Sequence, residues 1–268
     1  MVKGNLSEGA RRHRNEQLTR RQPGFLFFFA KKNQKTFINE SRGGGQVAQE
    51  RWLTFDCFGT LIDWTSGFRA VLAPIAGERV EALMSSYHRI ERAMEAELPH
   101  RLYRDVLTAG LVQAAEAIGL PLAAADADIL VRGWGDQPLF ADVPAGLGAV
   151  REAGWKIGVL TNCDSDLFAR TVAKNPALAP DLIVTAEQVG SYKPDFGHFA
   201  RFEQQTGVAR ADWVHVANSW FHDIEPAHRY GITRIWVDRD QSGHDPAIAS
   251  RVVRGVGDLA TVAAAVTG

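Results

Sequence analysis

The chain has 268 residues, 46% of them hydrophobic, which is enough for one large or two modest domains with a real core and excludes disorder along its whole length. Thirty basic residues against 31 acidic ones leave a formal charge of -1, so no global field favours nucleic acid or an anionic membrane, and the expected partner is a small molecule. Two cysteines without zinc-type ligand spacing suit a reducing, cytoplasmic compartment, and the longest apolar run, GFLFFFA, falls far short of the about 18 residues that span a bilayer.

Residues 1–50 carry ten Lys or Arg against four Glu and a run of three glycines, and they read as a disordered extension outside the fold. A partner-binding arm and a targeting segment are the competing readings there. From residue 51 onward short β-branched runs alternate with amphipathic segments, the pattern of βα units that build a mostly parallel sheet flanked by helices. The first strand is expected at Trp52 to Phe55. Residues 65–140 then hold no convincing strand and read as helices, for instance Arg79 to Leu98 and Tyr103 to Ile118, which predicts a helical cap over the carboxyl edge of the sheet. Further strands are expected at Lys156 to Thr161, Leu182 to Thr185, Trp213 to Ala217 and Arg234 to Val237. Helices are expected at Ala145 to Ala153, Phe196 to Gln205 and Ile224 to Arg229, with Gly154, Gly207 and Gly231 where they stop. The α/β core thus comprises residues 51–64 and 141–268, a Rossmann-like sheet with the cap inserted after its first strand.

Four sets of polar residues fall at the carboxyl ends of these strands, where open α/β sheets bind ligands. They are Asp56 and Thr60; Thr161 and Asn162; Lys193 in SYKPD; and Asn218, Ser219 and Asp223 in VANSWFHD. Asp-x-x-Gly-Thr by itself is weak, expected by chance in roughly one chain in twenty of this size. Together, however, two carboxylates, a hydroxyl, amides and an ammonium are what nucleophilic catalysis at a carboxylate needs.

The order of these motifs resembles the haloacid dehalogenase superfamily, over residues 51 to about 240 and including the cap between the first two motifs. Two departures from the phosphatases of that superfamily point to one branch. Phosphatases carry a second Asp two residues after the nucleophile, where this chain has Phe58, and pair two carboxylates in the fourth motif to hold Mg²⁺, where Asn218 replaces the first. The pattern is closer to the L-2-haloacid dehalogenases, which have an aromatic residue at the Phe58 position and work without a metal, since halide leaves without a proton donor.

That resemblance implies hydrolytic removal of halide from a short 2-haloalkanoic acid, with Asp56 as nucleophile, an aspartyl ester as intermediate and no cofactor. Lys193 would keep Asp56 ionised, and Asp223 would orient or deprotonate the hydrolytic water, held by Asn218 and Ser219. Asp223 as the N-cap of the next helix is the simpler alternative. Thr60 would bond Asp56 or cap the next segment. Thr161 and Asn162 would bind the substrate carboxylate, joined by Arg89 from the cap, with Arg92 as its competitor. Phe58, Trp64, Phe199 and Trp220 would wall an apolar pocket, although the dehalogenases have Tyr and Asn where Phe199 and Trp220 stand. Cys57 reads as a buried inert thiol, His215 as a packed strand residue, and His222 as a neighbour of Asp223 that touches water. A homodimer is compatible with this reading. The alternatives are a phosphatase, which would need Mg²⁺, a hydrolase of another small acid, and a ligand-binding member without catalysis.

Overall fold

The computed structural model describes residues 50–267. The N-terminal extension therefore lies, apart from Glu50, outside the described residues. Six parallel strands form one sheet in the order β3-β2-β1-β4-β5-β6. They are β1 (Arg51–Phe55), β2 (Trp155–Thr161), β3 (Leu182–Thr185), β4 (Trp213–Ala217), β5 (Thr233–Val237) and β6 (Arg251–Val253). Chain order reverses direction between β1 and β4, and that switch point is where an open α/β sheet leaves a crevice at its carboxyl edge.

Five α-helices separate β1 from β2, the first four being α1 (Trp64–Ala76), α2 (Val80–Glu95), α3 (Tyr103–Ala117) and α4 (Ile129–Arg132). The helix α1 starts where the Asp63 carboxylate accepts the Ser66 backbone N–H at 3.0 Å. Leu83, Met84, Tyr87 and Met94 on α2 and Val106, Leu107 and Leu111 on α3 are buried at helical spacing and share a hydrophobic cluster with the core face of the sheet. Asp164, fully buried just after β2, accepts the backbone N–H groups of Tyr103 at 2.7 Å and Arg104 at 3.0 Å, so a core carboxylate caps the start of a helix in the inserted segment.

The remaining helices are α5 (Val143–Glu152), α6 (Ser165–Lys174), α7 (Ala186–Val189), α8 (Gly197–Thr206), α9 (Glu225–Tyr230) and α10 (Leu259–Thr267). Strand alternation divides the core between the two faces of the sheet. Leu53, Phe55, Val214 and Val216 join the cluster that includes α5, α6 and α10, whereas Trp52, Trp213, Phe199 and Phe202 build a second cluster under α8 and α9. On that second side Thr54 of β1 lies opposite Gly158 of β2 and opposite His215 of β4.

Gly158 makes that packing feasible, because a Cβ there would stand 2.7 Å from the Phe202 ring and 2.9 Å from the Thr54 methyl. Gly158→Ala is therefore expected to destabilise the fold by about 1–3 kcal/mol through overpacking. A urea melt at neutral pH checks it, and an unchanged midpoint would contradict the tight packing.

The strand expectations agree with the structure to within one residue at each end, except that β6 was not anticipated. Its three residues are at the sheet edge, with Arg251 and Val252 exposed, so they carry no hydrophobic alternation. Helix ends moved by up to three residues, with the helix expected to reach Leu98 stopping at Glu95.

Candidate active site

Asp56 follows β1 directly, and the chain then reverses over Cys57 to Ile62, where the Cys57 carbonyl accepts the N–H groups of Thr60, Leu61 and Ile62 at 2.8 to 3.3 Å. Gly59 has φ +94°, a left-handed conformation that a side chain would strain, and it lets this loop fold back beside the carboxylate. Thr60 Oγ1 donates to Asp56 Oδ2 at 2.8 Å and accepts the Asn218 backbone N–H at 2.8 Å, which joins the ends of β1 and β4.

Lys193 sits between the two acids. Its Nζ donates to Asp56 Oδ1 at 2.9 Å, to Asp223 Oδ1 at 2.7 Å and to the Leu160 carbonyl at 2.9 Å, which uses all three ammonium protons. Only 2% of Lys193 is exposed, so its charge persists because two carboxylates compensate the burial. These neighbours raise the Lys193 ammonium above its ordinary value, and the same ammonium with His215 holds Asp223 well below the carboxylate range. Burial raises the Asp56 carboxyl, opposed by Lys193 and Thr60. The Asn162 amide fixes the Lys193 backbone from both sides, accepting its N–H at 2.7 Å and donating to its carbonyl at 3.1 Å.

Asp223 lies in a short π-helical turn (Trp220–Ile224), and its Oδ1 also contacts His215 Nε2 at 3.0 Å. Among the described residues, Asp223 Oδ2 has no hydrogen-bond partner. The N-cap reading of Asp223 is corrected: Ser219 caps this turn, its Oγ accepting the His222 backbone N–H at 3.1 Å.

These residues border a cavity of about 860 Å³ between the sheet edge and α2. Asp56, Phe58, Trp64, Thr161, Asn162, Lys193, Asn218, Ser219, Trp220 and Asp223 line it, as do both Arg89 and Arg92. Thr161 is fully buried with its hydroxyl 3.5 Å from Cys163 Sγ. Phe58 packs on Trp134 at 4.5 Å, Trp64 on His88 at 4.5 Å, and Trp220 stacks on His244 at 5.2 Å. Arg89 and Arg92 are both exposed, and the Arg92 guanidinium stands 6.0 Å from the Phe221 ring.

One further expectation is corrected. Phe199 is fully buried against Trp213 and His215 and is absent from the cavity wall, because the face of α8 that carries it turns toward β4. The Asn218 amide donates to Asp240 at 2.9 Å and accepts the Arg239 N–H at 3.2 Å, and Ser219 Oγ accepts the His222 N–H at 3.1 Å.

The sequence reading missed the acidic side of the cavity. Glu91 and Glu95 on α2 both line it. Glu91 accepts from the Tyr87 and Tyr103 hydroxyls, and burial beside Glu91 pushes the Glu95 carboxyl well up. His222 Nε2 lies 3.6 Å from Glu95, and burial lowers the His222 imidazole to about 4. The one available signal was the i, i+4 spacing of the two glutamates, which puts them on one helix face. Cys57 is fully buried with its thiol raised by burial and by Asp56, so it is held as a thiol rather than as the reactive thiolate.

Mg²⁺ takes several oxygen ligands and needs its charge neutralised, and here the Lys193 ammonium already balances the two acids. Both Asp56 oxygens and Asp223 Oδ1 already accept hydrogen bonds, a buried ammonium stands between the two acids, and the Asn218 amide faces Asp240.

A family model for haloacid dehalogenase-like hydrolases matches residues 51–231. The phosphoserine phosphatase of Thermus thermophilus is 31% identical over 164 residues, which cover 60% of this chain and 62% of that relative, so the match spans less than two thirds of the relative's length. The L-2-haloacid dehalogenase from Xanthobacter autotrophicus is similar in fold, with a TM-score of 0.70, 17% identity, and 81% of this chain and 99% of that one covered. A second L-2-haloacid dehalogenase structure gives a TM-score of 0.71 at 22% identity over 80% of this chain and 98% of its own.

Proposed function

This chain belongs to the haloacid dehalogenase-like hydrolases, and from that premise we propose that it removes halide from a short 2-haloalkanoic acid without a metal. The observation that carries this reading is the Lys193 ammonium bonded to both Asp56 and Asp223 beside an apolar Phe58–Trp134 wall, where a phosphatase of the kind described above would carry an acid. A halide departs with its electron pair and needs no proton, so an apolar wall serves it and does not serve an alkoxide leaving group.

In the first step the ionised Asp56 attacks the halogen-bearing carbon, forming a C–O bond as the C–halogen bond breaks. Thr60 and Lys193 hold the carboxylate in place. Arg89 or Arg92 at the cavity rim and the Thr161–Asn162 segment would bind the substrate carboxylate. In the second step water attacks the ester carbonyl carbon of Asp56 while Asp223, through its unpartnered Oδ2, takes a proton from it; the acyl C–O bond then breaks, the departing alkoxide oxygen is protonated so that a 2-hydroxy acid leaves, and Asp56 returns as a carboxylate with one proton released to solvent. The two buried free cysteines suit a cytoplasmic setting.

The relative that is a phosphoserine phosphatase favours a second reading, phosphomonoester hydrolysis, in which Glu95, a cavity-wall acid raised by burial, would supply the proton. One experiment separates the two. Halide release from 2-chloropropionate in the presence of EDTA is expected under the first reading, and hydrolysis of p-nitrophenyl phosphate that EDTA abolishes would replace it with the second.

The pH profile follows from Asp56. Its folded-state carboxyl is raised, so the reactive carboxylate is lost as pH falls through a value above the ordinary 3.8. Asp223, held low, stays ionised across that range and does not set the limb. The expected kcat/KM profile falls on the acid side above pH 3.8, and a plateau extending down to 3.8 would contradict the burial of the nucleophile.

A further inference from the structure

Asp223 is held by a buried chain of hydrogen bonds that starts on the same face of the sheet. Trp213 Nε1 donates to Thr54 Oγ1 at 2.8 Å, Thr54 Oγ1 meets His215 Nδ1 at 2.9 Å, and His215 Nε2 meets Asp223 Oδ1 at 3.0 Å. All four residues are fully buried. The proton positions follow from the last link. An ionised carboxylate can only accept, so His215 Nε2 carries the proton toward Asp223 Oδ1, and the neutral ring presents a bare Nδ1 to the Thr54 hydroxyl, whose oxygen accepts from Trp213. The opposite tautomer would set an imidazole lone pair against the Asp223 carboxylate. The edge-on contact of the His215 ring with Phe199, at 5.1 Å, hinders a ring flip that would exchange the two nitrogens.

We propose that His215 is a positioning residue for ester hydrolysis: the Trp213–Thr54–His215 relay, with Lys193, occupies Asp223 Oδ1 and leaves Oδ2 as the oxygen that takes the proton of the hydrolytic water. This rests on the role of Asp223 in the reaction proposed above. Among the described residues, Asp56 shares no hydrogen bond with Trp213, Thr54 or His215. Its own partners are Thr60 and Lys193, so the relay serves the second chemical step and not the first. A purely structural network, satisfying buried polar groups and nothing more, would show no such division between steps.

Two measurements on the full chain test it. In long-range ¹H–¹⁵N spectra of histidine-labelled protein, with His215 assigned from the His215→Gln variant, the proton is expected on Nε2 and Nδ1 is expected to be unprotonated; a proton on Nδ1 overturns the proposal whatever the substrate. In rapid-mixing experiments with 2-chloropropionate, His215→Gln and Thr54→Val are expected to keep the first-turnover halide burst within about threefold while slowing steady turnover about tenfold or more, so that the Asp56 ester accumulates in the mass spectrum. Thr54→Ser, which keeps the hydroxyl, is expected to behave as the parent protein, and Thr54→Val tests the relay should His215→Gln fail to fold. Equal slowing of burst and steady phases, or no rescue by Ser, overturns the proposal. If the parent protein releases no halide, the haloacid reading is what falls. The relay is then judged by the tautomer and by the same split between steps with p-nitrophenyl phosphate.

Discussion

On the proposed mechanism Asp56→Asn is expected to lower kcat by about a thousandfold or more, because an amide is a poor nucleophile for forming the aspartyl ester. The cavity also contains Asp223, but its Oδ1 is engaged by Lys193 and His215, and Cys57 is a buried thiol. The substitution is close to isosteric, and Lys193 keeps Asp223 as a charge partner. The stability effect has a definite sign. The folded-state carboxyl of Asp56 is raised, so the folded chain binds its proton more tightly than the unfolded chain does, and the stability this contributes is lost as pH rises through the folded value. At neutral pH ionised Asp56 therefore disfavours the fold, and the asparagine variant is expected to melt at the same temperature as the parent or higher. Halide release, a thermal melt and a mass spectrum of the protein with substrate check this together. Turnover that survives the change would remove Asp56 as nucleophile, whereas loss of turnover through unfolding would show as a lowered melting temperature.

Lys193→Met is expected to have the second largest effect, in both activity and stability. It leaves two buried carboxylates and the Leu160 carbonyl without the ammonium that bonds all three. Removing one partner of a buried ion pair leaves uncompensated charge and costs about 3–5 kcal/mol. Turnover is expected to fall about a hundredfold or more, since Asp56 then ionises less readily and both acids lose their orientation. The raised pKa of Lys193 gives stability that is fully present below its ordinary 10.5 and lost only as pH rises through the higher folded value, so the parent protein has all of it at neutral pH. For Asp223, whose carboxyl is held low, the contribution is present above the ordinary 3.8 and lost as pH falls through the depressed folded value. Without Lys193 that depression is largely removed, and protonating one of the facing acids relieves their repulsion. The methionine variant should therefore be less destabilised at pH 5 than at pH 7 in urea melts. A gap that is constant or widens on acidification would contradict the pairing.

Much of this site was legible in order of residues alone. Asp56, Thr60, Lys193 and Asp223 each stand just past a hydrophobic run or in the loop that follows one, and parallel strands bring such ends together at one edge of a sheet. Phe199 and Asn218 show where that reasoning stopped. An aromatic residue near a strand end can face the cavity or the core, and which it does depends on how α8 lies on β4. The direction of the Asn218 amide is set by Asp240 and the Arg239 backbone, beyond the end of β5. His215 read as a packed residue because its partners, Thr54 and Asp223, come from the next strand and from a turn eight residues on.

By itself the sequence determined the α/β class, the position of the helical insert and the residue types gathered at the carboxyl edge, because strand length, alternation and helical spacing are local properties of the chain. Only the tertiary structure decided which of those side chains touch. The Lys193 ammonium reaches Asp56 across 137 residues and Asp223 across 30, and the Thr54 hydroxyl meets His215 across 161. Such contacts depend on strand register and side-chain rotamers fixed by packing. Proton positions and carboxyl pKa values follow from them, and no local pattern encodes those.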